Sequence, residues 1–296
     1  GSISALFVID LGSVGESRHP VDVVPGTHTS TEVTLVERHV DCNDCHNVHE
    51  ATSTPTPATA PSAYGEIAGT WGVAVSNAPV GFITYAEKQG VDSEYELCLK
   101  CHSTWAELDG GRNIAVEFDT RLKSTHAVEA ASATASATAG SFVAATPAWS
   151  ASSILYCVDC HDNGDATEAG GPHTSENAPI LVEPVWGVSP AATSMLCYRC
   201  HLRSVYFSAT DDGVAETASM FYDGALGTSM LHSRHTNDAG LGWGLDCSAC
   251  HASHGSSEYH LLRTDIGYSH AVDGGTCANE CHTTGTPANT QVYARP

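Results

Sequence analysis

The cysteines are the feature that most constrains how this chain can fold. All twelve fall into six pairs, and every pair is followed at once by a histidine. Two residues separate the thiols in the first five pairs, and three separate them in the sixth. We number these motifs 1 to 6 along the chain. Their cysteines are Cys42 and Cys45, Cys98 and Cys101, Cys157 and Cys160, Cys197 and Cys200, Cys247 and Cys250, and Cys277 and Cys281; their histidines are His46, His102, His161, His201, His251 and His282.

The Cys-x-x-Cys-His pattern is typical of covalent haem c attachment. Two thiols on one turn can add to the two vinyl groups of one porphyrin. The adjacent histidine then becomes the proximal ligand of the iron. The wider spacing of Cys277 and Cys281 needs only a looser turn. The motifs therefore predict six haem c groups, with the six motif histidines as proximal iron ligands.

Two other uses of paired cysteines explain the pattern less well. A disulfide framework also needs an even number of cysteines, but it gives no reason for six adjacent histidines. Zinc ribbons place two Cys-x-x-Cys pairs about 12–20 residues apart. Successive motif histidines in this chain are at least 31 residues apart. The sequence thus favours haem over both alternatives.

Eleven histidines lie outside the motifs, which exceeds the six needed to give every iron a second imidazole. With only three methionines, methionine ligation of all six irons is not possible. Some of these histidines follow a serine two positions earlier, some follow a motif histidine, and one lies in a similar Ser-His-Ala-Val segment. The predicted distal ligands are His19, His49, His126, His173, His235, His254 and His270. A surface or hydrogen-bonded role fits the other four at least as well: His28, His39, His232 and His260.

The recurring histidines suggest an internal repeat. Each repeat would contain a Ser-x-His segment, a motif, a second histidine and another motif. The predicted di-haem units are residues 1–125, 126–231 and 232–296, joined in one continuous haem-cored domain. Such repetition is typical of array architectures.

The predicted fold class is mostly coil, with short α-helices at the motifs and a few short β-strands, built around a stacked haem chain. Aromatic residues make up only 7% of the chain, so the porphyrins would have to provide much of the apolar core. β-Branched content predicts strands at Ala5–Asp10, Glu32–Val36 and Ile180–Val182. Residues 51–63 and 130–153 are rich in Ala, Thr, Ser and Pro, which is typical of linkers.

The charge of the chain excludes some partners. Its 34 acidic residues against 12 Lys and Arg give a net charge of −22, which argues against binding nucleic acid or an anionic membrane surface. No apolar run reaches the length of a membrane span. Haem c is attached outside the cytoplasm, so we expect an exported protein at the cell surface or in the extracellular space, with the periplasm as the alternative.

With these motifs the chain resembles the multihaem c-type cytochromes of metal- and sulfate-reducing prokaryotes. The resemblance extends from Ser17 to His282 and is carried by residues 42–49, residues 247–255 and the Ser-x-His segments. Among these proteins it is similar to extracellular cytochromes that polymerise into conductive filaments. The resemblance implies other copies of the chain as partners and a haem chain that continues across subunits. If an axial histidine is donated between copies, His19, near the start of the chain, is the expected donor.

The expected function is long-range electron transfer rather than enzymatic catalysis. Two imidazoles on each iron fill both axial sites and favour low reduction potentials. The expected partners are redox proteins or extracellular acceptors. A monomeric electron shuttle is the main alternative. A multihaem nitrite, hydroxylamine or sulfite reductase is less favoured, because such an enzyme needs an open iron site and this chain has surplus histidines.

Overall fold

The account that follows is of the residues that the computed structural model describes. These are residues 17–21, 40–52, 59–77, 82–106, 112–132, 139–144, 148–163, 170–207, 219, 221–223, 229–237, 244–271 and 274–277. Over them the chain is mostly coil with short helices and short strands, which confirms that part of the predicted fold class. The helices with α geometry are α1 (Cys42–Cys45), α2 (Glu94–Cys98), α3 (Arg203–Tyr206) and α4 (Leu231–Thr236).

Single turns of 3-10 helix make up the rest of the helical structure in the described residues. They are Gly65–Ile67, Ile114–Val116, Ala139–Ser141, Cys157–Asp159, Leu196–Arg199, Cys247–Ala249, Tyr259–Leu261 and Thr264–Ile266. Motifs 1 to 5 therefore all contain part of a helical turn, but the predicted α geometry occurs only at motifs 1 and 2, and motifs 3 to 5 have 3-10 turns.

The strands pair in twos, always antiparallel. They are β1 (Ser17–Arg18), β2 (Gly72–Ser76), β3 (Thr84–Lys88), β4 (Ser124–Thr125), β5 (Thr174–Ser175), β6 (Tyr222–Asp223), β7 (Ser229–Met230), β8 (Gly255–Ser256), β9 (Tyr268–Ala271) and β10 (Gly274–Cys277). The pairs are β1 with β5, β2 with β3, β4 with β8, β6 with β7, and β9 with β10. Two of these pairs, β1–β5 and β4–β8, position histidines of the candidate site.

The strand predicted at Ile180–Val182 is wrong. The structure has a tight turn there, with one isolated bridge between Asn177 and Leu181. Ile180 adopts a positive φ of 54°, which β-branched residues rarely do, so its β propensity is overridden locally. The strands predicted at Ala5–Asp10 and Glu32–Val36 lie outside the described residues.

Sixteen hydrophobic residues are buried in the described part of the chain. Three of them, Ile67, Val91 and Leu97, pack together in one cluster, with Cys45 and Tyr64 among the partly buried residues against it. A cluster of three side chains by itself removes little apolar surface from water.

The chain divides into two compact units. The first contains residues 1–119, 128–130 and 154–183, and the second contains residues 120–127, 131–153 and 184–296. Motifs 1 to 3 fall in the first unit and motifs 4 to 6 in the second. These units are defined by contacts in space, whereas the three di-haem repeats are defined by the sequence, and the repeats stay a prediction. No helix in the described part of the chain is both long and apolar enough to cross a membrane.

Candidate functional site

Motifs 1 to 5 share one backbone geometry. In each of them the N–H of the histidine donates to the carbonyl of the first cysteine, at 2.8–3.0 Å. This bond closes a helical turn that brings both cysteines and the histidine together. The ten cysteines of these motifs form no disulfide bonds. The side chain of Cys277, together with Cys281 and His282, lies outside the described residues.

Carboxylate caps stabilise several of these turns. In motif 1, Asp41 accepts from the N–H of Asn43 while Asp44 accepts from the N–H of Asp41, which forms a capping box. In motif 5, Asp246 accepts from the N–H of Ala249 at 3.0 Å. The aspartates in and before the motifs therefore have a local structural role.

The structure brings four pairs of imidazoles close together, with angles of 15–58° between the ring planes. Each pair joins a motif histidine to a histidine from outside the motifs, and both members lie in the same unit. The distances between ring centroids are 6.1 Å for His19 and His102, 6.2 Å for His46 and His173, 6.2 Å for His126 and His201, and 6.3 Å for His232 and His251.

These distances fit one iron atom between the two rings of each pair. A metal–nitrogen bond of about 2.0 Å on each side, with each nitrogen about 1.1 Å from its ring centre, places the centroids about 6.2 Å apart. A direct N–H···N hydrogen bond would bring them to about 5.2 Å. Each pair would hold an iron through two imidazole nitrogens, and a porphyrin would supply the remaining four ligands. The residues present therefore fit haem iron.

Backbone carbonyls orient many of the histidines through Nδ1. Such a bond leaves the lone pair of Nε2 free for a metal and makes the imidazole a better ligand. The acceptors are Pro172 for His19, Glu66 for His46, Ser253 for His126, Pro179 for His161, Leu231 for His235 and His260 for His251, at 2.6–3.1 Å.

One arrangement, which we call the Ser-x-His brace, holds the non-motif histidine in two of the four pairs. It combines a two-residue strand pair with a serine hydroxyl that accepts a backbone N–H from a distant segment. In the first unit of the chain, β1 pairs with β5, and the N–H of His19 donates to the carbonyl of His173 at 3.2 Å. The N–H of Ile180 donates to the hydroxyl of Ser17 at 3.0 Å. The serine of the Ser-x-His pattern is therefore a structural partner of the segment that carries another histidine.

The second unit of the chain contains the same brace. β4 pairs with β8, the N–H of His126 donates to the carbonyl of His254 at 2.8 Å, and the N–H of Leu261 donates to Ser124 at 2.8 Å. This recurrence explains why Ser-x-His is visible in the sequence. The third Ser-x-His segment differs, because Ser233 and His235 lie in helix α4.

The ring of His19 lies opposite His102 of its own unit, where the pairing of β1 with β5 and the Pro172 carbonyl position it. The expectation that His19 serves another copy concerns contacts between copies and stays a prediction.

His232 is the ligand candidate that the sequence pattern does not select. Its ring faces His251, and burial, followed by the nearby His251, lowers the pKa of His232 to about 3. Burial likewise lowers the pKa of His201 to about 4. Both imidazoles are therefore neutral at pH 7, as metal ligation requires. The spacing of His232 and His235, three residues apart on one helix, is the signal that could have found it.

The remaining predicted distal histidines stay predictions. His49 is exposed and lies outside the four pairs. The Leu231 carbonyl orients the ring of His235. The backbone carbonyl of His254 accepts a hydrogen bond from the N–H of His126. The backbone of His270 lies in β9, but its side chain is outside the described residues.

Thiols of consecutive motifs touch within each unit. Cys157 of motif 3 is hydrogen-bonded with Cys98 of motif 2, and this contact raises the pKa of Cys157. Cys247 of motif 5 is hydrogen-bonded with Cys197 of motif 4. The attachment points of motifs 2 and 3, and those of motifs 4 and 5, are therefore adjacent.

Glu94 is a buried carboxyl group between motifs 2 and 3, with 2% of its surface exposed. It accepts from the N–H of Cys157 at 2.5 Å and of Val158 at 3.3 Å, and the hydroxyl of Tyr64 donates to it at 3.4 Å. Burial raises the pKa of Glu94 to about 7, although the backbone donors oppose this effect. The fold therefore favours the protonated carboxyl group.

Replacing Glu94 with glutamine should flatten the dependence of stability on pH. Because the folded-state pKa is raised, the stabilisation is present at low pH and is lost as the pH rises from about 4.5 to about 7. The loss amounts to about 3 kcal/mol at most. Guanidinium unfolding at pH 5 and pH 8 measures it, and Glu87→Gln, at an exposed position, is the matched control. An unchanged pH dependence in the Glu94 variant would contradict this role.

A scan against protein-family models and searches of curated proteins and of solved structures find no match to this chain. The residues and their geometry therefore carry the assignment of function.

Proposed function

We propose that this chain is a hexahaem c-type cytochrome that transfers electrons over long distances. The observation that carries the proposal is the set of four imidazole pairs, each with a motif histidine and each 6.1–6.3 Å between centroids. The motif cysteines would hold the porphyrins through thioether bonds. Bound haem c supplies a one-electron couple between ferric and ferrous iron.

The chain's own groups favour electron transfer over substrate chemistry. Where two imidazoles lie opposite each other, both would ligate the same iron and would leave no position for a substrate. The Nδ1 hydrogen bonds to backbone carbonyls hold the rings in place in both oxidation states. A rigid ligand set keeps the reorganisation that accompanies a change of iron valence small. The touching thiols of motifs 2 and 3, and of motifs 4 and 5, support short distances between redox centres.

The wider setting of the protein is part of the proposal. Covalent haem attachment supports export to the cell surface or the extracellular space. The resemblance of the motifs to filament-forming cytochromes supports assembly with other copies of the chain, and redox proteins or extracellular acceptors as partners. The net charge of −22 supports the expectation that the protein neither binds nucleic acid nor docks on anionic lipid.

The test is a redox titration of the purified native protein followed by optical and electron paramagnetic resonance spectroscopy. We expect six reducible haems, all low-spin and none binding carbon monoxide. Electron microscopy of the same sample separates filaments from single particles. Fewer than six haems, mainly high-spin iron or turnover of nitrite would contradict the proposal, whereas isolated particles would contradict only its filament part.

A further inference from the structure

Lys100 is the largest fully buried side chain in the described part of the chain, with 2% of its surface exposed. It is the second spacer residue of motif 2, between Cys98 and Cys101. Thioether attachment and iron ligation use only the cysteines and the histidine. Burying an ammonium group is costly unless it is paired and hydrogen-bonded. Its presence inside a motif therefore needs another explanation.

The ammonium group of Lys100 joins motif 2 to motif 1. Its Nζ donates to the carbonyl of Asp44 at 2.5 Å and lies 4.0 Å from the Asp44 carboxylate. It also approaches the carbonyl of Trp71 at 3.5 Å and lies 4.3 Å from the centre of the Trp71 ring. Asp44 is the second spacer residue of motif 1 and is 1% exposed. One buried cation thus connects the two haem-binding turns.

The charge of Lys100 lies beside an attachment point of each motif. Lys100 directly precedes Cys101 in the chain, and Asp44, whose carbonyl it contacts, directly precedes Cys45. Solvent screens buried charges much less than exposed ones. The field of this ammonium group would therefore act on redox centres attached at these cysteines.

We propose that Lys100 is a positioning residue that fixes the turn of motif 1 against that of motif 2 and makes the haems of both motifs easier to reduce. This inference rests on the proposed function. A buried positive charge opposes the additional positive charge of ferric iron, so it favours the ferrous state. Asp44 partly offsets this effect, because its carboxylate is buried beside the ammonium.

The test is the substitution Lys100→Met, which keeps the length of the side chain and removes its charge. Holoprotein mass should still show six attached haems. In a spectroelectrochemical titration, two of the six midpoints should move to lower potential. The ratio of reduced to oxidised haem at the wild-type midpoints of those two haems should fall about tenfold, which corresponds to about 59 mV for a one-electron couple. Lys123→Met, with a side chain that is 46% exposed, is the control and should leave all midpoints unchanged.

A second variant keeps the proposal testable if Lys100→Met does not mature. Asp44→Asn retains an acceptor for the N–H of Asp41 and leaves the ammonium without its carboxylate. The same two midpoints should then move to higher potential. Unchanged midpoints in either variant, or shifts in the opposite direction, would overturn the role of Lys100. Wild-type protein with fewer than six haems would instead overturn the proposed function.

Discussion

Replacing His173 with alanine should convert one haem in six from low-spin to high-spin iron. His173 faces His46 at 6.2 Å, and the alanine side chain cannot reach the metal. The iron held by His46 would then have an open axial position. Electron paramagnetic resonance should show a high-spin signal for one sixth of the iron. The reduced protein should bind one carbon monoxide per chain, whereas the wild type should bind none.

The matched control for His173→Ala is Glu176→Ala. Glu176 is exposed and lies just beyond β5 in the same segment, but it has no imidazole. It should leave all six irons low-spin. Adding His19→Ala to His173→Ala should open a second site, because His19 faces His102. A His173 variant without carbon monoxide binding, or the same binding in the Glu176 variant, would disprove the pairing of His46 with His173.

The chain without haem should not fold. Replacing all twelve cysteines with serine prevents attachment and leaves a polypeptide whose buried apolar cluster is centred on Ile67, Val91 and Leu97. In the residues that the structure describes, the strands pair in twos, and isolated two-stranded pairs are marginally stable at best in water. We expect a circular dichroism spectrum of coil, rapid proteolysis and no cooperative thermal transition.

The matured wild-type chain is the reference for the haem-free variant and should resist protease under the same conditions. A variant that lacks only Cys42 and Cys45 should lose one haem and show intermediate resistance. A haem-free chain that unfolds cooperatively would show that the polypeptide supplies its own core. That outcome would remove one physical reason for the predicted haem-cored fold.

Local features of this fold are readable from the sequence. Residue spacing within a motif determines one helical turn, so the motif geometry at Cys42–His46 follows directly from it. The Ser-x-His pattern at Ser17 and Ser124 is also visible, because its serine accepts a backbone N–H in the folded chain. Propensity fails at Ile180, where the hydrogen bonds of a brace impose a positive φ.

The sequence does not predict which two histidines lie opposite each other. His173 faces the ring of His46, although it follows His161 in the sequence. His232 has no serine two positions earlier, and only its position on helix α4 brings it to His251. Such pairings depend on long-range packing, which residue spacing within a segment does not determine.

The Ser-x-His brace also separates two stages in the biogenesis of the protein. Pro172, which orients His19, is 153 residues downstream, and Ser253 is 127 residues downstream of His126. A motif, by contrast, is complete within five or six residues. Under the proposed function, attachment would need only the local motif and could proceed one motif at a time on an extended chain. The second ligand would be positioned only after the chain had been exported as far as Pro172 for His19 and Ser253 for His126.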